Sequence, residues 1–128
     1  MNDKPIEQFV DTIVKGMQEA KAKRIVTVDM QKLDAPCVFF IICEGNSSTH
    51  VASIATEVKN FVREVAGVKP FAVDGLEAAN WVAMDYGELI VHVFQPEIRE
   101  FYDIEHLWSD AELNEIADID LKNHGKRK

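Results

Sequence analysis

Seven consecutive apolar residues, Cys37 to Cys43 (CVFFIIC), carry no charge and no side-chain amide or hydroxyl. A run this short and this rich in β-formers reads as a strand buried on both faces rather than one alternating between core and water. It falls well short of the roughly 18 apolar residues that a membrane span needs. Gly45 and Asn46 end it, and Ser47 or Ser48 can accept hydrogen bonds from the free amides of a new helix. That helix shows a buried stripe at Val51, Ile54, Ala55, Val58, Val62 and Val65, and Gly67 stands where a left-handed terminating residue is wanted. A strand, a crossover helix and a further strand imply parallel strands with a right-handed connection.

The rest of the chain is read around this unit. Ile6, Phe9, Val10, Ile13, Val14 and Met17 follow helical spacing, with Asp3 as cap and Pro5 in the first turn. Ile25 to Met30 is an outer strand, and Gln31 to Ala35 with Pro36 form the turn into the apolar run. After the central helix come Phe71 to Val73, an Asp74-Gly75 turn, Trp81 to Asp85, a Tyr86-Gly87 turn and Leu89 to Phe94. Turns this short imply an antiparallel meander. The fold class is therefore α/β, a mixed sheet of about five strands flanked by helices. Pro96 opens a helical segment in two short pieces, containing Ile98, Phe101, Tyr102, Glu105 and Trp108. Beyond it the apolar residues thin out, so residues 1–108 read as a single domain and residues 109–128 as a weakly structured tail, acidic and then basic.

Charge is placed unevenly along the chain. Residues 1–73 hold nine acids and nine bases, residues 74–120 hold thirteen acids and one base, and residues 121–128 hold four bases. Phosphate backbones are bound by many Lys and Arg, so an acidic second half with a net charge of −8 argues against nucleic acid as the main ligand and for a basic partner. The alternative is that the charge only keeps the protein soluble. The basic end, KNHGKRK, allows at most a peripheral RNA contact.

Chemistry-bearing residues are sparse. Cys37 and Cys43, six apart on a strand, would share a face at a separation of about 20 Å. They cannot pair there, and they read as small buried groups with no metal-ligand spacing around them. The N-terminus shows no charged start followed by a long apolar stretch, so a reducing cytoplasm is expected. Asp85 shares a strand face with Trp81, yet a two-metal phosphoryl-transfer site wants clustered carboxylates and this strand offers one. Stabilising the Tyr86-Gly87 turn is the simpler role. The Gly45-Asn46-Ser47-Ser48 loop could hold an anion at a helix start or could merely cap the helix, and it lacks a phosphate-loop lysine. His92 shares a face with Ile90 and Phe94 and reads as a half-buried residue or a partner contact; His106 and His124 have no ligand spacing to it. Arg99, the lone base between Asp74 and Asp120, either pairs internally with Glu105 or Asp103 or meets a partner's carboxylate. Trp81, Tyr86, Tyr102 and Trp108 suit a core, and they also suit an interface.

The block WVAMDYGELIVHVF followed by REFYDIEHLW resembles the ribosomal silencing factor family, also called the Iojap-related family. The resemblance runs from about Ile6 to Trp108, includes Gly45, Ser47, Ser48 and His50, and leaves the segment after Asp110 outside the pattern. Asp74-Gly75 stands where a Glu-Gly pair is usual. The resemblance implies a mixed sheet akin to nucleotidyltransferases but without their catalytic carboxylates, and hence a protein that is not an enzyme and needs no metal or cofactor. It implies binding to the large ribosomal subunit through large-subunit protein number fourteen, blocking of small-subunit joining under nutrient limitation, a cytoplasmic location and a homodimer. Trp81, Asp85, Tyr86, His92, Arg99, Tyr102, Glu105 and Trp108 are then the partner-binding candidates, with Trp81 and Tyr102 as apolar anchors. The competing readings are a nucleotide-binding enzyme using the Gly45 loop and Asp85, and an acidic module for another basic protein.

Overall fold

In the computed structural model, which describes residues 5–117, the apolar run becomes strand β2 (Phe39–Glu44), every residue of which is buried. Its parallel neighbour is β5 (Leu89–Phe94), and on its other side β1 (Lys23–Asp29) pairs with it antiparallel. From β5 the sheet continues outward through β4 (Trp81–Asp85) to β3 (Ala72–Asp74), both antiparallel steps. β3 follows the crossover helix in the chain and runs in the direction of β2, yet β5 takes the place beside β2. The reason is burial: Leu89–Phe94 is almost wholly buried, whereas the three residues of β3 suit an edge.

A sixth strand, β6 (Glu112–Ile116), pairs antiparallel with β1 from Ile25 opposite Ile116 to Asp29 opposite Glu112. The complete order is β3-β4-β5-β2-β1-β6, one strand more than the sequence predicts. This strand lies in the segment read as a tail, past residue 108. Its residues are mostly exposed, and β1 holds them by ladder hydrogen bonds, which leave no trace in a hydrophobic pattern. Asp3 and the KNHGKRK end lie outside the described residues.

Helix α1 (Pro5–Glu19) and helix α2 (Ser48–Ala66) cover one face of the sheet. Ser47 Oγ accepts from the His50 N–H at 3.0 Å, and Gly67, at φ +70°, closes α2 in the left-handed conformation. The buried stripe of α2 ends at Val62, one turn short of the helix end; Val65, the penultimate residue, is exposed. Ile13, Met17, Ile41, Cys43, Val58, Val82, Met84, Val91 and Val93 meet in this first core. On the other face, Val26, Val28, Met30, Cys37, Phe40, Ile42 and Phe94 form a second core. Over it lie Ile98 of helix α3 (Pro96–Tyr102), Ile104 of the 3-10 turn Ile104–His106, and Trp108. Cys37 and Cys43, expected on one face, therefore face opposite cores, because Cys37 precedes the strand; both thiols are free and buried.

Candidate functional site

The second face carries an aromatic cluster built by strand register. Trp81 of β4 lies directly opposite Phe94 of β5, and their rings stack with centroids 4.9 Å apart. His92 lies opposite Ala83, whose small side chain lets the indole reach across: Trp81 Nε1–H donates to His92 Nδ1 at 3.0 Å. Phe40 meets His92 edge-on at 4.8 Å, and Trp108 packs on Phe40 at 5.7 Å. Tyr102, at the end of α3, rests on Trp81 at 4.9 Å with half of its surface in water.

With Nδ1 accepting, the His92 proton sits on Nε2, which is buried and has no partner among the described residues. Burial pulls the imidazole down to about 4 from its ordinary value near 6.5. The unfolded chain therefore takes up a proton that the folded chain refuses as pH falls from about 6.5 to about 4. The stability tied to neutral His92 is complete above that window and is lost within it. Between pH 7 and pH 5 the expected loss is about 2 kcal/mol, read from urea unfolding. A His92→Gln variant should be flatter by that amount; equal pH slopes would show that His92 is not the responsible group.

Arg99 is 2% exposed and fully engaged. Its Nε–H and Nη2–H donate to the two oxygens of Glu105 at 2.7 and 3.2 Å, and Nη1–H donates to Glu44 Oε1 at 3.1 Å and to the Arg24 carbonyl at 2.7 Å. Arg24 sits at φ +51° where the β1–β2 register shifts, and its own Nη1–H reaches Glu44 at 3.2 Å. Two buried carboxylates thus face two guanidinium groups, so the network balances its charge. It ties α3 and the 3-10 turn to the ends of β1 and β2. The geometry matches the internal-pairing alternative for Arg99, with Glu105 as the partner. Glu44, which sequence reasoning missed, is the second acid; a charge closing a wholly apolar run is the signal that pointed to it.

The eight candidates therefore divide. Trp81, His92, Tyr102 and Trp108 come together on one face, with Arg99 and Glu105 at its margin. Tyr86 turns to the opposite face, edge-on to Phe9 at 5.4 Å, and burial pushes its phenol up to about 12. Asp85 lies on the Trp81 face at the far end of β4, where Oδ1 accepts from the Gly87 N–H at 2.8 Å. Its direct cross-strand partners are Ala72 and Ile90, and the nearest acid by register, Asp74, is exposed on the edge strand. Tyr86, His92, Arg99 and Glu105 are buried, so their side chains are not part of the outer surface. In the Gly45 loop, Asn46 N–H donates to His50 Nδ1 and His50 N–H to Ser47, which fits a helix cap. Missed from sequence were Phe101, 79% exposed and edge-on to Tyr102 at 4.9 Å, and Leu107, 60% exposed just past the 3-10 turn.

A sequence model of the family described as "Ribosomal silencing factor during starvation" matches residues 3–128, so the pattern continues through the segment after Asp110. Ribosomal silencing factor RsfS of Bacillus subtilis is 35% identical over 121 residues, covering 94% of this chain and 97% of that protein. Mitochondrial assembly of ribosomal large subunit protein 1 of Mus musculus is 27% identical over 114 residues, covering 84% of this chain and 50% of the mouse protein. A crystal structure of a Chromobacterium violaceum protein matches with a TM-score of 0.78 at 30% identity, covering 89% of this chain and 94% of that one.

Proposed function

We propose that this chain, which belongs to the ribosomal silencing factor family, binds the large ribosomal subunit and sterically prevents the small subunit from joining it. The contact is with large-subunit protein number fourteen, and the outcome is reduced translation when nutrients are scarce. The protein acts in the cytoplasm without catalysis, and it can pair with a second copy when not docked. The name of the mouse relative ties that protein to the large subunit, in keeping with this reading.

The observation that carries the proposal is the surface around α3. Phe101 and Tyr102 pack edge-on and both are exposed, Leu107 is exposed just past the 3-10 turn, and Glu97, Glu100 and Asp103 of the same segment are exposed, with Asp103 held by His106. Grouped apolar residues rimmed by one sign of charge mark a docking site for a partner of the opposite sign. Tyr102 is the anchor and Trp81 supports it from beneath. The acids of the rim meet basic groups of the ribosomal protein, with Asp85 and Trp108 at the periphery. Arg99 and Glu105 act as positioning residues that hold α3 against the sheet.

The test is sedimentation with separated subunits and assembled ribosomes, followed by a subunit-joining assay. Comigration with the large subunit alone, with fewer joined ribosomes as protein is added, is the expected result. Tyr102→Ala should weaken that association by about 2 kcal/mol or more while leaving the melting temperature nearly unchanged. Association should also slow as salt rises, since the Debye length is about 8 Å at physiological ionic strength. Binding to neither subunit, or a Tyr102→Ala variant that binds normally, would overturn the reading.

A further inference from the structure

We propose that the groove between the C-terminal half of α2 and the β3 edge binds single-stranded nucleic acid, with phosphates on Lys59, Arg63 and Lys69 and one base stacked on Phe71. This groove lies with the helix-covered side of the sheet, away from the α3 surface, and the inference does not rest on the silencing reading.

The groove has a volume of about 330 Å³ and is lined by Lys59, Arg63, Lys69, Pro70, Phe71 and the start of β3. Lys59 and Arg63 are one helical turn apart and point the same way. None of the three cations forms an ion pair among the described residues, in a chain whose net charge is −8. Beside them Phe71 is 82% exposed. Its backbone is fixed, since the Phe71 N–H donates to the Asp85 carbonyl at 2.7 Å, and its ring lies 3.0 Å from where a side chain on Gly87 would begin. Leaving a phenylalanine in water forfeits burial energy, and Gly87 gives it only an edge to rest on. An open ring on an anchored backbone, beside cations with no ion pair among the described residues, is the combination by which proteins hold a single strand: phosphates on the charges and a base on the ring. An acidic peptide would use the same cations. It gains little from an open ring, however, and a three-residue edge offers few ladder bonds.

The test is fluorescence anisotropy of a fluorescein-labelled single-stranded RNA octamer titrated with the full chain, with a DNA octamer alongside. Three phosphate contacts on a single strand predict a slope of about −2 in log K against log salt, hence about 20-fold weaker binding at 200 mM than at 50 mM salt. Phe71→Ala should weaken binding roughly tenfold, and Lys59→Glu with Arg63→Glu should abolish it. All these positions are exposed, so the melting temperature should hold. Tyr102→Ala should bind the octamer as the parent does. Tighter binding of RNA than DNA supports an RNA ligand, and equal binding supports the shared single-strand chemistry. No saturable binding at 50 mM salt would overturn the proposal. So would binding that survives the double charge reversal, which leaves the basic C-terminal residues intact, or equal binding of a glutamate-rich peptide.

Discussion

Arg99→Ala is expected to cost about 3–5 kcal/mol of folding stability, the range for breaking one partner out of a buried charge network. The substitution removes all four hydrogen bonds at once and leaves Glu105 buried without a cation. Glu44 keeps the Arg24 guanidinium, but that side chain is largely in solvent and offers a weaker, screened contact. The Arg24 carbonyl, presented at a left-handed position, also loses its donor. Lysine is a poor substitute, since an ammonium cannot span both Glu105 oxygens while reaching Glu44 and the carbonyl. Arg99→Met with Glu105→Leu should recover part of the loss, because it removes the stranded charge along with its partner. Urea unfolding of the three variants checks this. A loss below about 1 kcal/mol for Arg99→Ala would mean that α3 is held by Ile98 and Ile104 packing alone.

Much of this framework was legible before any coordinate. The CVFFIIC run, the Ser47 cap and the Gly67 stop are local signals, and local physics decided them. The meander was legible for the same reason, since short turns leave little choice of pairing. What was not legible depended on the partner of a strand or the depth of a side chain. β6 has only Leu113 and Ile116 to show a hydrophobic pattern, and it forms because β1 has an open edge. Tyr86 and Asp85 are adjacent in sequence and fall on opposite faces because side chains alternate along β4, Tyr86 continuing the side of Val82 and Met84, and only the depth of each face had to come from the fold. The exposure of Phe101 and Leu107 followed neither from composition nor from spacing. Both sit in a segment whose helical face is set by where Arg99 must be buried.

That arrangement makes Trp81 the residue where folding and docking meet, and Trp81→Ala should lose about 3 kcal/mol or more of stability. The indole fills the surface of the second core, stacks on Phe94 and supplies the hydrogen bond to His92 Nδ1. Its removal strands both imidazole nitrogens and takes away the floor beneath Tyr102. Trp81→Phe keeps an apolar ring and deletes the N–H, so its smaller cost, about 1–2 kcal/mol, isolates the hydrogen bond. Ribosome association measured well below each melting point should still weaken for Trp81→Ala, since Tyr102 loses its support even while the chain stays folded. Tyr102→Ala and Trp81→Ala should then be non-additive in binding, with an interaction energy of about 1 kcal/mol, as expected for rings in contact. Strict additivity would mean that the two rings meet the ribosome independently. In that case Tyr102 owes nothing to the indole below it, and the docking surface would have to be drawn from α3 outward, without the sheet.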